Sequence, residues 1–211
     1  VFSVEVAFAE TGGTGTVGID LRLDCLIATR SGEAVEAPRH ARNAQKAQRR
    51  RQRALARCRR GSKRRHEAKA RLAAGAAKIV RQRRDHPHKL SRSPVARYQG
   101  IASEDLDVAG LARGMLARSV HDAAWASLVR FVKYKAASAG AEVVPVDPRG
   151  TSQTRPVCGT IRPKTLRERQ HRCTCGCVLD RDVAAARIVH RRAFGSNRDI
   201  ALQDTSQRHA A

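Results

Sequence analysis

VGIDLRLDCLIATRSGEAVEA, residues Val17–Ala37, is the stretch whose reading decides the fold. Val17, Ile19, Leu21 and Leu23 fall on one side of a period-two pattern, and Gly18, Asp20, Arg22 and Asp24 on the other. That alternation marks a half-buried strand. The run continues through Cys25, Leu26, Ile27 and Ala28, turns at Ser31-Gly32 and returns through Ala34-Val35-Glu36, so a hairpin is predicted. Asp is a poor strand former. Asp20 is therefore either an acid on an exposed face or edge, or a carboxylate held on a rigid strand toward a divalent metal. The hairpin alone leaves both readings open.

Composition narrows the choice. The chain has 211 residues, enough for one medium domain with an insertion. Aromatic residues are only 3%, so the core is built from Val, Leu, Ile and Ala and is not large. The formal net charge of +23 calls for a polyanionic partner. No apolar run approaches the roughly 18 residues of a membrane span, and the start, VFSVEVAFAE, lacks the basic region of a secretory signal. No membrane partner is expected. The opening lies inside a strand-like pattern without an initiator Met, as in a fragment. Six Cys without a signal, four of them close together, point to reduced thiols, a cytoplasmic setting and a metal site rather than disulfides.

Val1–Phe8 alternates and reads as a strand, followed by a flexible TGGTG connection. From Arg39 to Arg92 the composition changes abruptly: 21 Lys and Arg stand against two acids, Glu67 and Asp85, a net +19. Ala, Arg, Lys and Gln favour helix, with a break at Gly61-Ser62 and a stop at Pro87. Ala41, Ala44, Leu55 and Cys58, then Ala68, Leu72, Ala76 and Ile79, recur at steps of three and four, which predicts two antiparallel helices with a thin apolar seam. A solvated charge face or disorder would be the plain reading. Charge this unbalanced repels itself unless an anion is present, so nucleic-acid contact is favoured. Arg49, Arg50, Arg51, Arg53, Arg57, Arg59, Arg60, Lys63, Arg64 and Arg65 are the candidate contacts. Aromatic interleaving is almost absent, which indicates phosphate tracking rather than base stacking.

His88–Arg97 reads as a short helix poorly suited to Pro94, Gln99–Leu106 as a short strand ending in acid, and 107–114 as loop. Ser119 with Asp122 resembles a capping box ahead of one helix through Val120, Ala124, Leu128, Phe131 and Lys135, ended by Gly140. Trp125 is read as a core residue of that helix. Glu142–Asp147 reads as a strand that Pro145 places at an edge or near its end. A loop-rich insertion, 148–179, holds Cys158, Cys173, Cys175 and Cys177; Asp180-Arg181-Asp182 opens a closing helix over 180–194, and 195–211 reads as disordered.

Asp20 in the first strand, Glu104 ending a later one and Asp182 in the first turn of the last helix thus stand out. Hairpin, strand, helix, strand and closing helix is the order of a ribonuclease-H-like α/β domain, whose carboxylates meet at one end of the sheet and could hold two divalent ions. Each acid has a plain alternative: Asp180 and Asp182 both suit a helix N-terminus, and Glu104 and Asp105 suit a solvated loop.

The segments VGIDLRLD, IASEDLDVAG, SVHDAAWASLVRFVKYKA, VVPVDPRGTSQT, the VCG knuckle and CGCVLDRDVAAARIV, spread over Val17–His190, resemble the C-terminal part of TnpB/OrfB proteins. These are transposon-encoded RNA-guided nucleases related to type V CRISPR effectors. The resemblance implies a RuvC-like nuclease core over 16–147 and 180–194, with catalytic metal carboxylates at Asp20, Glu104 and Asp182. It also implies Mg²⁺ or Mn²⁺ as cofactor, DNA and guide RNA as partners, a basic helical hairpin over 39–92 along the heteroduplex, and a zinc ribbon over 148–179. Residues 1–10 would be the remnant of an N-terminal region that grips guide RNA. The family's first knuckle is Cys-x-x-Cys-Gly; here it reads Arg155-Pro156-Val157-Cys158-Gly159, so one expected Zn²⁺ ligand is Arg. Cys158, Cys173, Cys175 and Cys177 could supply four thiolates, with His171 competing. The competing functions are an actin-like or sugar-kinase ATPase and a nucleic-acid-binding remnant that does not cut. Arg22, standing where the ATPases need Gly, removes the first; the three intact acids weigh against the second, while Arg155 and the expected missing N-terminal region weigh for it.

Overall fold

The computed structural model describes residues 13–162, 168, 170–172 and 176–195. The expected strand Val1–Phe8, the tail beyond 195, Cys173 and Cys175 lie outside the described residues. The chain forms two compact units. The first takes residues up to Glu36, Arg92–Asp107 and Val132 onward; the second takes Ala37–Ser91 and Val108–Phe131.

The first unit is a mixed five-stranded sheet. Strands β1 (Thr16–Leu21), β2 (Cys25–Thr29) and β3 (Ala34–Glu36) form an antiparallel meander; β4 (Gly100–Glu104) pairs parallel with β1 and β5 (Glu142–Val146) parallel with β4, in the order β3-β2-β1-β4-β5. The predicted single strand through Ala28 is in fact two. The chain folds back at Arg22–Asp24, and Leu21 pairs with Ile27. A period-two pattern cannot show a fold-back when the turn residues keep the alternation, and the turn-forming Asp24 was the only local sign of it. β1 is also not half-buried: Gly18 and Asp20 are as buried as Val17 and Ile19.

The reason is the closing helix, α7 (Arg181–Phe194), which packs on the Gly18 face of β1. Gly18 is what allows that approach. A Cβ there would run into the Ala186 carbonyl oxygen and lie 2.7 Å from His190 Cβ. Ala184, Ala185, Ala186, Ile188 and Val189 bury the inner face of the helix, and Val189 packs on Ala102 and Val146 of the parallel strands. Asp180 caps α7, its carboxylate accepting from the Asp182 amide at 2.8 Å. β5 lies at the sheet edge, where Pro145 is tolerated. A small two-stranded pair, β6 (Gln170–Arg172) and β7 (Val178–Asp180), precedes α7.

The second unit is helical. Helices α1 (His40–Ala56) and α2 (Lys63–Leu90) pack on each other through a thin seam in which Ala68 is buried and Ala41, Ala44, Leu55, Cys58, Leu72 and Ile79 are half-buried; Ala76 is exposed. Ser62 caps α2 by accepting from the Arg65 amide. Pro87 does not stop α2. The helix runs on to Leu90 despite the missing Pro87 N–H, and the Pro87 carbonyl accepts from Ser91 N at 2.9 Å. A short α3 (Arg92–Arg97), in the first unit, follows instead of one helix over 88–97, and 107–114, expected to be loop, contains α4 (Val108–Leu111).

The single helix predicted from Ser119 is broken into α5 (Ala117–Ala123) and α6 (Trp125–Ser138) by Ala124, whose φ of 55° is left-handed. No capping box forms at Ser119. Asp122 instead reaches across to α1, accepting from the amides of Ala41 at 2.8 Å and Arg42 at 3.1 Å, with Arg83 Nε at 3.1 Å. Arg39 offers α1 no side-chain cap, so this buried carboxylate satisfies two of the orphan amides. Burial pushes its pKa up, yet the two amides and Arg83 hold it below the usual range. Trp125 is buried, as a core residue should be.

Candidate functional site

Asp20 and Glu104 come together because β1 and β4 are parallel neighbours. The register pairs Gly18 with Ala102 and Ile19 with Ser103, so Asp20 falls beside Glu104 one step further on. Both are almost fully buried, 6% and 8% exposed. Burial, then the charge of Glu104, pushes the Asp20 carboxyl up to about 7. Burial raises Glu104 as well, opposed first by the Thr151 hydroxyl, which donates to Glu104 Oε1 at 2.6 Å. Two buried carboxylates side by side are the arrangement that a cation in the same place would relieve.

Asp182 is held differently. Its Oδ1 pairs with Arg22 Nη1 and lies 3.7 Å from Arg181 Nε. Both arginines also act on Asp20, and Arg22 acts on Glu104. Among the described residues no three His, Cys, Asp or Glu side chains form a metal-holding group. Asp182 is taken up by a guanidinium, while Asp20 and Glu104 lie side by side.

Arg22, Arg181 and Thr151 were not singled out from sequence as partners of the acids. Arg22 could have been, since it lies two residues after Asp20 in the alternating run. Thr151 carries no sequence signal, because its contact spans 47 positions.

Of the ten expected basic contacts, nine are exposed on α1, the 57–62 turn or the start of α2: Arg49, Arg50, Arg51, Arg53, Arg57, Arg59, Arg60, Lys63 and Arg64. Arg65 is occupied structurally, its Nη1 donating to the Leu55 and Cys58 carbonyls, both at 3.2 Å, at the C-terminal end of α1. The two helices, 17 and 28 residues long, measure about 25 and 42 Å.

Around the knuckle, Arg155 N donates to Thr160 O and Gly159 N to Arg155 O, both 2.9 Å, and Gly159 takes φ 74°. Residues 155–160 thus form a tight turn that opens on a largely buried Arg155. Cys158 and Cys177 are not disulfide-bonded.

The family model of IS605 OrfB, described as "Probable transposase", matches residues 1–115, and the Cas12f1-like TNB domain model matches 125–189. The chain belongs to the TnpB/OrfB family. A Streptomyces pristinaespiralis protein, provisionally named an RNA-guided DNA endonuclease, is 39% identical over 179 residues, covering 83% of this chain and 44% of its own length. This OrfB-family chain thus spans less than half of that relative. Two solved structures share its fold at TM-score 0.59 and 16% identity: a Cas12f1–sgRNA–target DNA complex, covering 82% of this chain and 49% of that one, and a CRISPR-Cas12f ternary complex, covering 89% and 41%. The fold is the mixed α/β fold of those proteins. Among the described residues no helix is long and apolar enough to cross a membrane.

Proposed function

We propose that this chain is the ribonuclease-H-like, RuvC-type nuclease portion of a transposon-associated RNA-guided DNA endonuclease. The observation that carries the reading is the buried Asp20–Glu104 carboxylate pair set side by side at the ends of two parallel strands. An acid pair costs stability there unless a cation offsets it. Asp20, Glu104 and Asp182 would hold Mg²⁺ or Mn²⁺. Divalent ions at such carboxylates activate water and stabilise the leaving oxygen of a phosphodiester. Thr151 fixes the Glu104 carboxylate, and Asp180 fixes the first turn of α7 from which Asp182 projects.

The exposed Arg and Lys of α1 and the start of α2 would track the phosphates of DNA and guide RNA. Cys158, Cys173, Cys175 and Cys177 would hold a structural Zn²⁺, with Arg155 at the position of one family ligand. A second reading, a nucleic-acid binder that does not cut, is favoured by the Arg22–Asp182 pair, which occupies one of the three acids.

The test is cleavage of target DNA by the protein with guide RNA, in Mg²⁺ or Mn²⁺ and in chelator. Cutting lost in chelator and in Asp20→Asn and Glu104→Gln supports the nuclease. Tight binding with no cutting under any metal leaves the second reading in its place.

A further inference from the structure

We propose that Arg22 is a built-in competitor for the divalent ion at Asp20, Glu104 and Asp182; the inference rests on the nuclease reading of those carboxylates. Arg22 follows β1 directly, two residues after Asp20. Its Nη1 is paired with Asp182 Oδ1, the two side chains being 18% and 13% exposed. The same guanidinium is close enough to favour the ionised forms of both Asp20 and Glu104. Arg22 thus contacts Asp182 directly and sits two residues after Asp20, which lies beside Glu104 in the sheet. Arg181 adds a second, 3.7 Å from the same Asp182 oxygen.

A guanidinium stays charged at any working pH, and its fork of N–H donors matches a carboxylate. It cannot leave by losing a proton; it can only move away. A divalent ion needs the same carboxylate lone pairs and brings two positive charges into contact range of Arg22. A metal ligated through Asp182 Oδ1 would thus displace Arg22 from that oxygen, and one on the other oxygen would be repelled by it.

What could draw Arg22 off is another anion of equal quality, and a nucleic-acid phosphate is one. Phosphate arriving at the site would take the guanidinium and release Asp182. By linkage, nucleic acid and metal then strengthen each other's binding. The device keeps the metal site weak until the backbone to be cut is in place.

Mn²⁺ titration of the 211-residue chain, read by electron paramagnetic resonance, tests this with Arg22→Gly, Arg22→Gln and Asp20→Asn variants whose circular dichroism matches the parent. Both Arg22 variants should bind Mn²⁺ at least about tenfold more tightly than the parent. A single-stranded oligonucleotide should tighten Mn²⁺ binding in the parent and not in the variants. Unchanged or weaker binding in both Arg22 variants overturns the competitor, since it would mean that Arg22 readies the carboxylates for metal. The Asp20→Asn arm separates the two claims. Loss of Mn²⁺ in that variant supports the carboxylate site whatever Arg22 does, whereas parental affinity there overturns the site and the competitor with it.

Discussion

Replacing Asp20 by Asn should stabilise the protein in chelator while abolishing any metal-dependent cutting. The side chains are nearly isosteric, and the Asn amide can still donate to Glu104. What is lost is a buried acid whose pKa rises from 3.8 to about 7. That is about three decades in proton affinity, an upper figure of about 4 kcal/mol at neutral pH. Glu104 is raised by burial beside it, so the two acids titrate as a pair and about 2 kcal/mol is expected. For a chain of this size the gain corresponds to a Tm rise of roughly 4–8 °C. The sign is fixed by the direction of the shift. The folded state holds the proton more tightly than the unfolded one, so the stability this group contributes is full below 3.8 and lost as pH rises through about 7. The parent in EDTA should therefore lose stability from pH 4 to pH 7, and Asp20→Asn should flatten that slope. Thermal melts in EDTA at pH 4, 5.5 and 7.5 check it. A variant no more stable than the parent at pH 7.5, or equally stabilised at pH 4, would refute the reasoning.

Asp122→Ala removes an α1 cap and the partner of Arg83 and should cost about 2–3 kcal/mol, seen as a lower Tm; because its pKa is held low, the parent should keep this contribution until pH falls below the ordinary carboxylate range. Gly18→Ala drives a methyl into the Ala186 carbonyl and His190, and should cost about 3 kcal/mol or prevent soluble expression, while Gly15→Ala, with open space around it but φ 80°, should cost about 1 kcal/mol. Duplex DNA affinity should fall steeply with salt, and Arg50→Ala with Arg53→Ala should lower the slope of log K against log salt by about two without changing sequence preference; an unchanged slope removes those two side chains from the interface.

The strands, the basic helices and the closing helix were legible in sequence because periodicity, composition and an N-terminal acid turn are local signals. The fold-back at Arg22–Asp24 was not, since alternation ran straight through it. Asp122 misled for a related reason: Ser119-x-x-Asp122 has capping-box spacing, but the carboxylate found better donors at the start of α1, 80 residues away. At the site, Asp20 and Glu104 were recoverable from strand order. That Asp182 would face Arg22 was not, because it depends on where α7 lands on β1. That landing is set by Gly18 and the alanines of α7, small residues that carry no sign of what they admit.

The most direct test of the carboxylate site is anomalous diffraction from crystals of the protein equilibrated with Mn²⁺. A Mn²⁺ peak in direct contact with the carboxylates of Asp20 and Glu104, with Arg22 displaced from Asp182, is the predicted result. Crystals at saturating Mn²⁺ with no peak at these residues, and with the Arg22–Asp182 pair intact, would contradict it.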